Sequence, residues 1–234
     1  MVRGRRQFLT RTVAGAAGLA WSGTTTAWAM PKTERDALTP AQVIELMKRG
    51  NERFRNGLRV NRDFLREQRE RASGQYPAAV ILSCIDSRAP AELVMDLGIG
   101  DVFNTRMAGN VANDDVIGGL EFACAVAGAK AIVVLGHTAC GAVAGAIDGV
   151  TLGKLSGLLA RIEPAVTATA HDGPRTSKDA FFVDAVARTN VELTMRTIRA
   201  GSELLGQLEA AGSLTIAGAM YDLKTAAVTF LPPY

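Results

Sequence analysis

Two apolar runs dominate the hydrophobic pattern of the chain. Residues 78–83 read AAVILS and residues 131–136 read AIVVLG, and neither run contains a charged side chain. Unbroken runs of this length, rich in Val, Ile and Leu, are typical of strands buried on both faces of a parallel sheet. Helical patterns separate the apolar runs, so right-handed parallel crossovers are expected. The pattern therefore predicts an α/β fold with a central, mostly parallel β-sheet flanked by helices.

Capping and turn residues bound the other predicted elements. Thr39-Pro40-Ala41-Gln42 is a capping-box pattern with proline at the first helical position, and it opens a helix that carries Val43, Met47 and Phe54. The charged segment 62–71 taken alone indicates a solvated helix face. Helices are also predicted at about 90–96, 115–127, 141–147 and 181–200, with a short helix capped by Ser202. A strand is predicted at 102–105, and strands near 214–221 and 226–231 can pair as an antiparallel edge.

The first 29 residues have the composition of a targeting segment. Gly4-Arg5-Arg6-Gln7-Phe8-Leu9 is a twin-arginine pattern, and a weakly hydrophobic Ala/Gly/Thr stretch leads to an A-x-A sequence at 27–29. A membrane anchor is the competing interpretation, but the glycines, serine and threonines of this stretch make it too polar for a stable span. We expect a cleaved signal peptide at 1–29, a single domain at 30–234, and a periplasmic or otherwise exported protein with no stable membrane span.

The net positive charge of the full chain comes from the arginines of residues 1–29. The formal net charge of the full chain is +3, but residues 1–29 contain four arginines and no acidic residue, so 22 of the 26 basic residues remain against 23 acidic ones. A domain with a net charge of about −1 gives no electrostatic reason to expect nucleic acid binding.

Three potential metal ligands follow the two apolar runs. Cys84 comes directly after the first run, and His137 and Cys140 come after the second. The carboxyl ends of parallel strands meet at one edge of the sheet, so these side chains should share a crevice. Two thiolates and one imidazole are preferred ligands of Zn²⁺, and three protein ligands leave a coordination position open, as in catalytic sites. The alternative is that both cysteines are small buried hydrophobic residues and His137 is a hydrogen-bonded core histidine.

The chain contains one more cysteine, Cys124, and one more histidine, His171. An exported protein with three cysteines raises the question of a disulfide, but the twin-arginine route moves folded proteins, so a metal could protect the thiolates before export. Cys124 lies on an apolar helical stripe with Ile117 and Leu120 and is expected in the core. His171 lies in a polar loop and is expected to be a solvated surface side chain.

The motifs around the three ligands resemble those of the β-class carbonic anhydrases. The matching residues are C-x-D-S-R, formed by Cys84, Asp86, Ser87 and Arg88, and H-x-x-C-G, formed by His137, Cys140 and Gly141. The stretches GDVFNTRMAGN at 100–110 and IAGAMYDLKTAAVTFL at 216–231 are also similar to the family, and the resemblance extends from about residue 38 to residue 231. It implies the β-carbonic anhydrase fold with an N-terminal helical arm that reaches a second subunit, which would make the charged segment 62–71 partner-facing rather than solvated.

The resemblance also implies a reaction. It is the reversible hydration of CO2 to bicarbonate and a proton, with one Zn²⁺ per chain and a zinc-bound hydroxide as the nucleophile. Asp86 and Arg88 would be the catalytic residues: Asp86 would accept the proton of the hydroxide and orient it, and Arg88 would hold Asp86. An ordinary surface ion pair is the alternative for these two residues.

The resemblance implies roles for four further residues. Gln75 matches a glutamine near the substrate that the neighbouring subunit often contributes, and Gly109 matches a glycine of the loop that lines the site. Phe103 and Phe122 match walls of the CO2 pocket, although ordinary core packing competes as an explanation for both. The resemblance implies a homodimer or a dimer of dimers as the working unit.

Some members of the family have a closed form in which the aspartate of C-x-D-S-R becomes a fourth zinc ligand. In members whose closed form is controlled by bicarbonate, a tryptophan three residues before the first ligand cysteine completes an ion pocket with an arginine and a tyrosine. Arg106 and Tyr221 occupy the matching positions here, but Ile81 replaces the tryptophan and cannot donate a hydrogen bond. We therefore expect the open form, with Asp86 paired to Arg88.

Parts of this pattern are also compatible with other functions. A CS2 or COS hydrolase could use the same scaffold, because these substrates are linear like CO2, and a non-catalytic bicarbonate-binding protein is a possibility from another class. A zinc deaminase would need H-x-E and P-C-x-x-C, but residue 139 is Ala and the second motif is absent from the sequence.

Overall fold

Five strands form one sheet in the order β2-β1-β3-β4-β5. The structure, a computed structural model, describes residues 30–232; the predicted signal peptide lies outside these residues and stays a prediction. The strands are β1 (Ala79–Ser83), β2 (Val102–Arg106), β3 (Ala131–His137), β4 (Thr215–Tyr221) and β5 (Val228–Phe230). The first four strands pair in parallel, and β5 pairs with β4 in the antiparallel direction. The predicted fold class is confirmed.

The helices pack on both faces of this sheet. They are α1 (Lys32–Ala37), α2 (Pro40–Arg55), α3 (Phe64–Arg71), α4 (Ala91–Val94), α5 (Asp114–Glu121), α6 (Gly141–Ile147), α7 (Gly153–Leu159), α8 (Glu163–Ala168), α9 (Ala180–Gly201) and α10 (Glu203–Ala210). Leu82 and Ile132 point to the face covered by α5, α9 and α10, whereas Ile81 and Val133 point to the face covered by α2 and α4. Every residue of β1 and β3 is buried, which explains why the two runs contain no charge.

The predicted helix starts agree with the observed caps. The Thr39 side chain accepts the backbone N–H of Gln42, and the Gln42 side chain accepts the backbone N–H of Thr39, which is a complete capping box. Ser202 accepts the backbone N–H of Leu205 at the start of α10. The sequence predicts the starts of α2 and α10 correctly because each cap involves only residues within one helical turn.

Two predicted helices end differently in the structure. The helix expected to run to residue 127 changes at Phe122 into a π-helical turn, Phe122–Val126, before Gly128 at φ 79°. The helix expected at about 90–96 is only the single turn α4, because Asp96 adopts φ 49° and leaves the helical region. Its buried carboxylate accepts hydrogen bonds from Arg53 and from the backbone of Val60.

The charged segment 62–71 is exposed at most positions, as expected for a solvated helix face, but Glu67 is an exception. Glu67 on α3 is 2% exposed and accepts hydrogen bonds from the Arg62 side chain at 3.1 Å and from the backbone of Ile99 at 2.9 Å. Asp101 lies beside the same guanidinium, and burial raises its pKa to about 7. Part of the charge in this segment therefore joins α3 to the loop between α4 and β2.

The N-terminal helix α1 is attached to the domain through Arg35, which is buried. The Arg35 guanidinium donates to the carbonyl oxygens of Pro77, just before β1, and Ala127, just after the π-helical turn. Gly128 packs beneath it, since an added Cβ there would lie 3.2 Å from the guanidinium nitrogens. Arg35 thus connects the N-terminal arm to the start of one strand and the end of one helix.

Two single-residue predictions have different outcomes. Cys124 is buried in the core beside Leu120, as predicted, and burial raises the pKa of its thiol to about 12. The prediction for His171 was wrong: its ring is largely buried, lies 2.8 Å from a carboxylate oxygen of Asp179 and packs on Phe182. Asp179 also caps α9, so the histidine is part of a helix terminus.

No helix among residues 30–232 combines the length and apolar character needed to cross a bilayer.

Candidate metal centre

Cys84, His137 and Cys140 come together at the carboxyl edge of the sheet. Cys84 follows β1, His137 is the last residue of β3, and Cys140 is the N-cap of α6. One potential ligand atom from each side chain lies within 4.8 Å of the others, and all three residues are buried. The structure thus brings together the three residues that the sequence proposed as ligands.

The His137 ring leaves one nitrogen for a metal. Nδ1 lies 2.9 Å from the backbone oxygen of Thr138, and because a carbonyl oxygen only accepts, Nδ1 must donate its proton there. In the neutral ring Nε2 is then the unprotonated nitrogen, and it is buried without a hydrogen-bond partner of good geometry among residues 30–232. One imidazole nitrogen beside two cysteine sulfurs is the set of ligand atoms that Zn²⁺ prefers, so the residues fit a metal ion.

The two thiols influence each other's ionisation. A hydrogen bond from the Cys140 thiol, together with the adjacent His137 ring and the Gly109 N–H 3.4 Å from Sγ, lowers the pKa of Cys84 to about 4. The same interaction and burial raise the pKa of Cys140. The pair therefore shares one proton, which a bound cation would displace because metal ligation requires thiolates.

Asp86 and Arg88 form an ion pair beside these ligands. Arg88 donates from Nε to Oδ1 at 3.0 Å and from Nη2 to Oδ2 at 2.7 Å, and its backbone N–H donates to Oδ1 at 2.9 Å. The hydrogen bonds from Arg88 lower the pKa of Asp86 to about 2. Asp86 Oδ2 is 3.8 Å from His137 Nε2, so the carboxylate borders the site while it is held by the arginine.

Arg106 fixes the backbone between these residues. It is the last residue of β2, and its guanidinium donates to the carbonyl oxygens of Cys84 at 2.9 Å and Asp86 at 2.6 Å. Ile81 and Tyr221 are buried nearby in the core on the α2 side of the sheet. The main-chain hydrogen bonds of Arg106 are a role that the sequence did not predict.

The peptide of Ala139, between the potential ligands His137 and Cys140, makes hydrogen bonds on two sides. Ala139 adopts φ 53°, which is unfavourable for a residue with a Cβ. Its N–H donates to Asp184 Oδ1 at 2.8 Å, and its carbonyl accepts from Arg88 Nη2 at 3.3 Å. Asp184 lies on α9, 45 residues further along the chain. No local sequence signal pointed to it.

Of the pocket residues that the family resemblance implies, only some lie beside the metal centre. Gly109 contacts the site through its N–H. Phe103 and Phe122 contact each other edge to face, with ring centroids 6.1 Å apart, and Phe122 is 53% exposed. Gln75 is exposed in the loop between α3 and β1. The roles of these residues in a substrate pocket stay predictions.

The geometry of Ala139 gives a first testable expectation. Replacing Asp184 with Ala should weaken zinc retention by roughly tenfold, because outer hydrogen bonds that orient ligands contribute about this much to metal affinity. Asp184→Asn keeps an acceptor oxygen and should restore most of the retention. Zinc release to a chromogenic chelator measures both variants, and equal release from wild type and Asp184→Ala would contradict the role.

Comparison with known proteins identifies the family. The family model described as "Carbonic anhydrase" matches residues 79–228, which include both ligand motifs. The chain belongs to the carbonic anhydrase family. Carbonic anhydrase 2 of Mycobacterium tuberculosis is 36% identical to it over 200 residues, which cover 83% of this chain and 91% of that protein.

Solved structures show that the fold is that of the β-class. The β-carbonic anhydrase CafA of Aspergillus fumigatus superposes with a TM-score of 0.63 at 24% identity, covering 82% of this chain and 89% of that one. One of two tetrameric β-carbonic anhydrases of Sordaria macrospora gives a TM-score of 0.62 at 24% identity, covering 82% and 94%. A carbon disulfide hydrolase of Acidithiobacillus thiooxidans is 34% identical over only 71 residues, or 28% of this chain and 33% of that protein.

Proposed function

We propose that this carbonic anhydrase catalyses the reversible hydration of CO2 with one Zn²⁺ held by Cys84, His137 and Cys140. The observation that carries the proposal is the convergence of Cys84 Sγ, Cys140 Sγ and a buried His137 ring, whose Nε2 is 3.8 Å from the ion-paired Asp86 carboxylate. When bound at a three-ligand site, zinc lowers the pKa of water from about 15.7 toward 7 and so supplies hydroxide at neutral pH.

The protein residues would orient the reacting molecules. The Asp86 carboxylate is ionised and accepts hydrogen bonds only, so a reacting water or hydroxide beside it must direct its proton to Asp86 and its lone pair elsewhere. Arg88 engages both carboxylate oxygens and thereby holds Asp86 on its own side of the crevice. Cys84 and Cys140 lie in a cluster of buried apolar residues, which suits an uncharged, apolar substrate.

Stopped-flow measurement of CO2 hydration on the chain from residue 30, together with metal analysis, tests the proposal. We expect about one zinc per chain and a proton-release rate that falls to the buffer rate after chelation. A zinc-loaded protein without hydration activity would support a non-catalytic bicarbonate-binding protein instead. Hydrolysis of CS2 or COS faster than CO2 hydration would support the hydrolase, which is similar to this chain over only a short segment.

We further propose that the working unit is a dimer or a dimer of dimers. The π-helical turn exposes two apolar side chains, Phe122 at 53% and Val126 at 73%, and Gln75 is also exposed in the single chain. A second copy that covers this surface would bury the apolar area and could complete the substrate pocket.

Sedimentation of the chain from residue 30 should show no monomer at micromolar concentration. Val126→Glu should produce monomers and lower activity, because it places a charge in the apolar contact. Leu152→Glu is the matched control, since Leu152 is 66% exposed in the loop before α7 and lies outside the proposed contact. A fully active monomer would contradict the proposal.

A further inference from the structure

A cleft of about 420 Å³ lies apart from the metal centre. It is bounded by α9, by the turn between α7 and α8, and by residues 111 and 112, and it contains none of the three ligands. Asn190, Thr194 and Thr197 line it from successive turns of one face of α9. The volume is in the range of sites for small molecules.

Two guanidinium groups border this cleft from different elements. Arg161 comes from the turn before α8 and Arg196 from α9, and no acidic residue is among the residues that line the cleft. Within residues 30–232, neither side chain makes an ion pair or a hydrogen bond. Other arginines of α9 are paired: Arg188 lies 3.6 Å from Glu192, and Arg199 lies 2.7 Å from Glu209. The two unpaired guanidiniums therefore concentrate positive charge at one concave surface.

Thr194 adds an unused hydroxyl to the wall. The residue is 5% exposed, yet its hydroxyl has no hydrogen-bond partner in the described part of the chain. Threonine hydroxyls in helices commonly bond to the carbonyl four residues earlier. Thr189 and Thr197 of the same helix do so, donating to Ala185 and Leu193 at 3.1 and 3.0 Å. Thr194 differs from both, and its hydroxyl stays available to an occupant of the cleft.

The rest of the lining indicates the shape of that occupant. Asn190 is fixed, because its Nδ2 donates to the Gly109 carbonyl at 2.7 Å, so this part of the wall is rigid. Val111, Pro164 and Leu193 give the cleft an apolar side. One oxyanion group would satisfy the arginines but would leave most of the volume and this apolar side unused.

We propose that this cleft binds a small organic oxyanion, a phosphate or carboxylate attached to an apolar body. Arg161 and Arg196 hold the charged end, which is the geometry for which guanidinium groups are suited. The Thr194 hydroxyl donates a further hydrogen bond, and the body packs against Val111 and Leu193. None of the residues that line the cleft is a proposed zinc ligand, although Asn190 also bonds to Gly109 beside the metal centre.

Calorimetric titration of the chain from residue 30 with phenyl phosphate and with benzoate tests the proposal. We expect at least one of these probes to bind and phenol, which lacks the oxyanion, not to bind; the tighter probe identifies the anionic group. Arg161→Gln and Arg196→Gln should each weaken binding roughly tenfold or more, the usual effect of removing a charge-assisted hydrogen bond. Thr194→Val keeps the side-chain shape and should weaken binding severalfold.

Arg188→Gln is the control, because it removes the same charge from α9 outside the cleft and should leave binding unchanged. Anions can also bind a metal centre, so the double variant Arg161→Gln/Arg196→Gln is decisive. Unchanged binding in the double variant would place the anion elsewhere and overturn the proposal. Failure of both probes to bind the wild type at millimolar concentration would overturn it as well.

Discussion

Replacing His137 with Ala is expected to abolish both zinc binding and CO2 hydration. The side chain supplies the only nitrogen of the three-ligand set, and its Nε2 is buried without another partner among the described residues. Two thiols without the imidazole cannot complete a catalytic site, which uses three protein ligands. Metal analysis after dialysis should give less than about a tenth of the wild-type zinc content, with activity reduced in proportion.

The second histidine provides a matched control. His171→Ala removes the same side chain, but His171 contacts Asp179 and Phe182 rather than the metal centre, so zinc and activity should be retained. Because His137 is buried, its variant should also be checked for folding by near-ultraviolet circular dichroism. Cys140→Ser, which conserves volume, gives a second variant expected to lose zinc. Full zinc occupancy in a folded His137→Ala protein would exclude the assigned ligand set.

Replacing Asp86 with Asn is expected to leave zinc bound and to lower kcat at least about 100-fold. This is the lower end of the effect of removing a group that accepts or donates a proton during catalysis. The amide has nearly the shape of the carboxylate and can still accept the Arg88 backbone N–H. It can also donate, so it no longer forces the orientation of a reacting water. Zinc content and kcat measured together separate the two effects, and a variant with wild-type kcat would refute the role of Asp86.

The pH dependence should show that Asp86 itself does not titrate in the working range. The hydrogen bonds from Arg88 lower its pKa to about 2 in the folded protein, below the ordinary value of about 3.9. The stabilisation from this pair is therefore present above the ordinary value and is lost only as the pH falls through about 2. Any activity loss between about pH 9 and pH 6 must come from another group, such as the metal-bound water.

The same ion pair favours the open form of the site, and we expect no steep cooperative loss of activity with bicarbonate. Asp86 is engaged by Arg88, and the guanidinium of Arg106 already donates to two carbonyl oxygens. Ile81, which replaces the tryptophan of bicarbonate-controlled members, is completely buried. A zinc-bound structure near pH 8 with an Asp86 oxygen about 2.0–2.2 Å from the metal would show a closed site.

The sequence predicted those parts of the structure that depend on neighbouring residues. The runs before Cys84 and His137 became β1 and β3 because complete burial needs unbroken apolar sequence, and the ligands followed at the strand ends. The π-helical turn was missed since an apolar stripe does not distinguish hydrogen bonds to the fourth residue from those to the fifth. The interpretation of His171 failed because its partner Asp179 caps a helix that starts only after a loop.

The sequence did not predict those contacts of the site that join residues far apart in the chain. Asp184 and Ala139 are joined by the packing of α9 beside β3, and a carboxylate in the middle of a helix has no local feature that separates it from a solvated one. Similarly, the unused hydroxyl of Thr194 differs from those of Thr189 and Thr197 only in three dimensions. Such roles depend on which surfaces the fold brings together.

The hydrogen bonds of Arg35 limit how far the N-terminus of the chain from residue 30 can be trimmed. This residue is only six positions beyond the predicted cleavage site after Ala29, and its guanidinium joins the backbone before β1 to that after the π-helical turn. An aminopeptidase or an expression design that removed residues 30–37 would leave the carbonyl oxygens of Pro77 and Ala127 without their donor. Helix α1 is therefore a structural part of the fold, and an affinity tag on the chain from residue 30 should leave residues 30–37 intact.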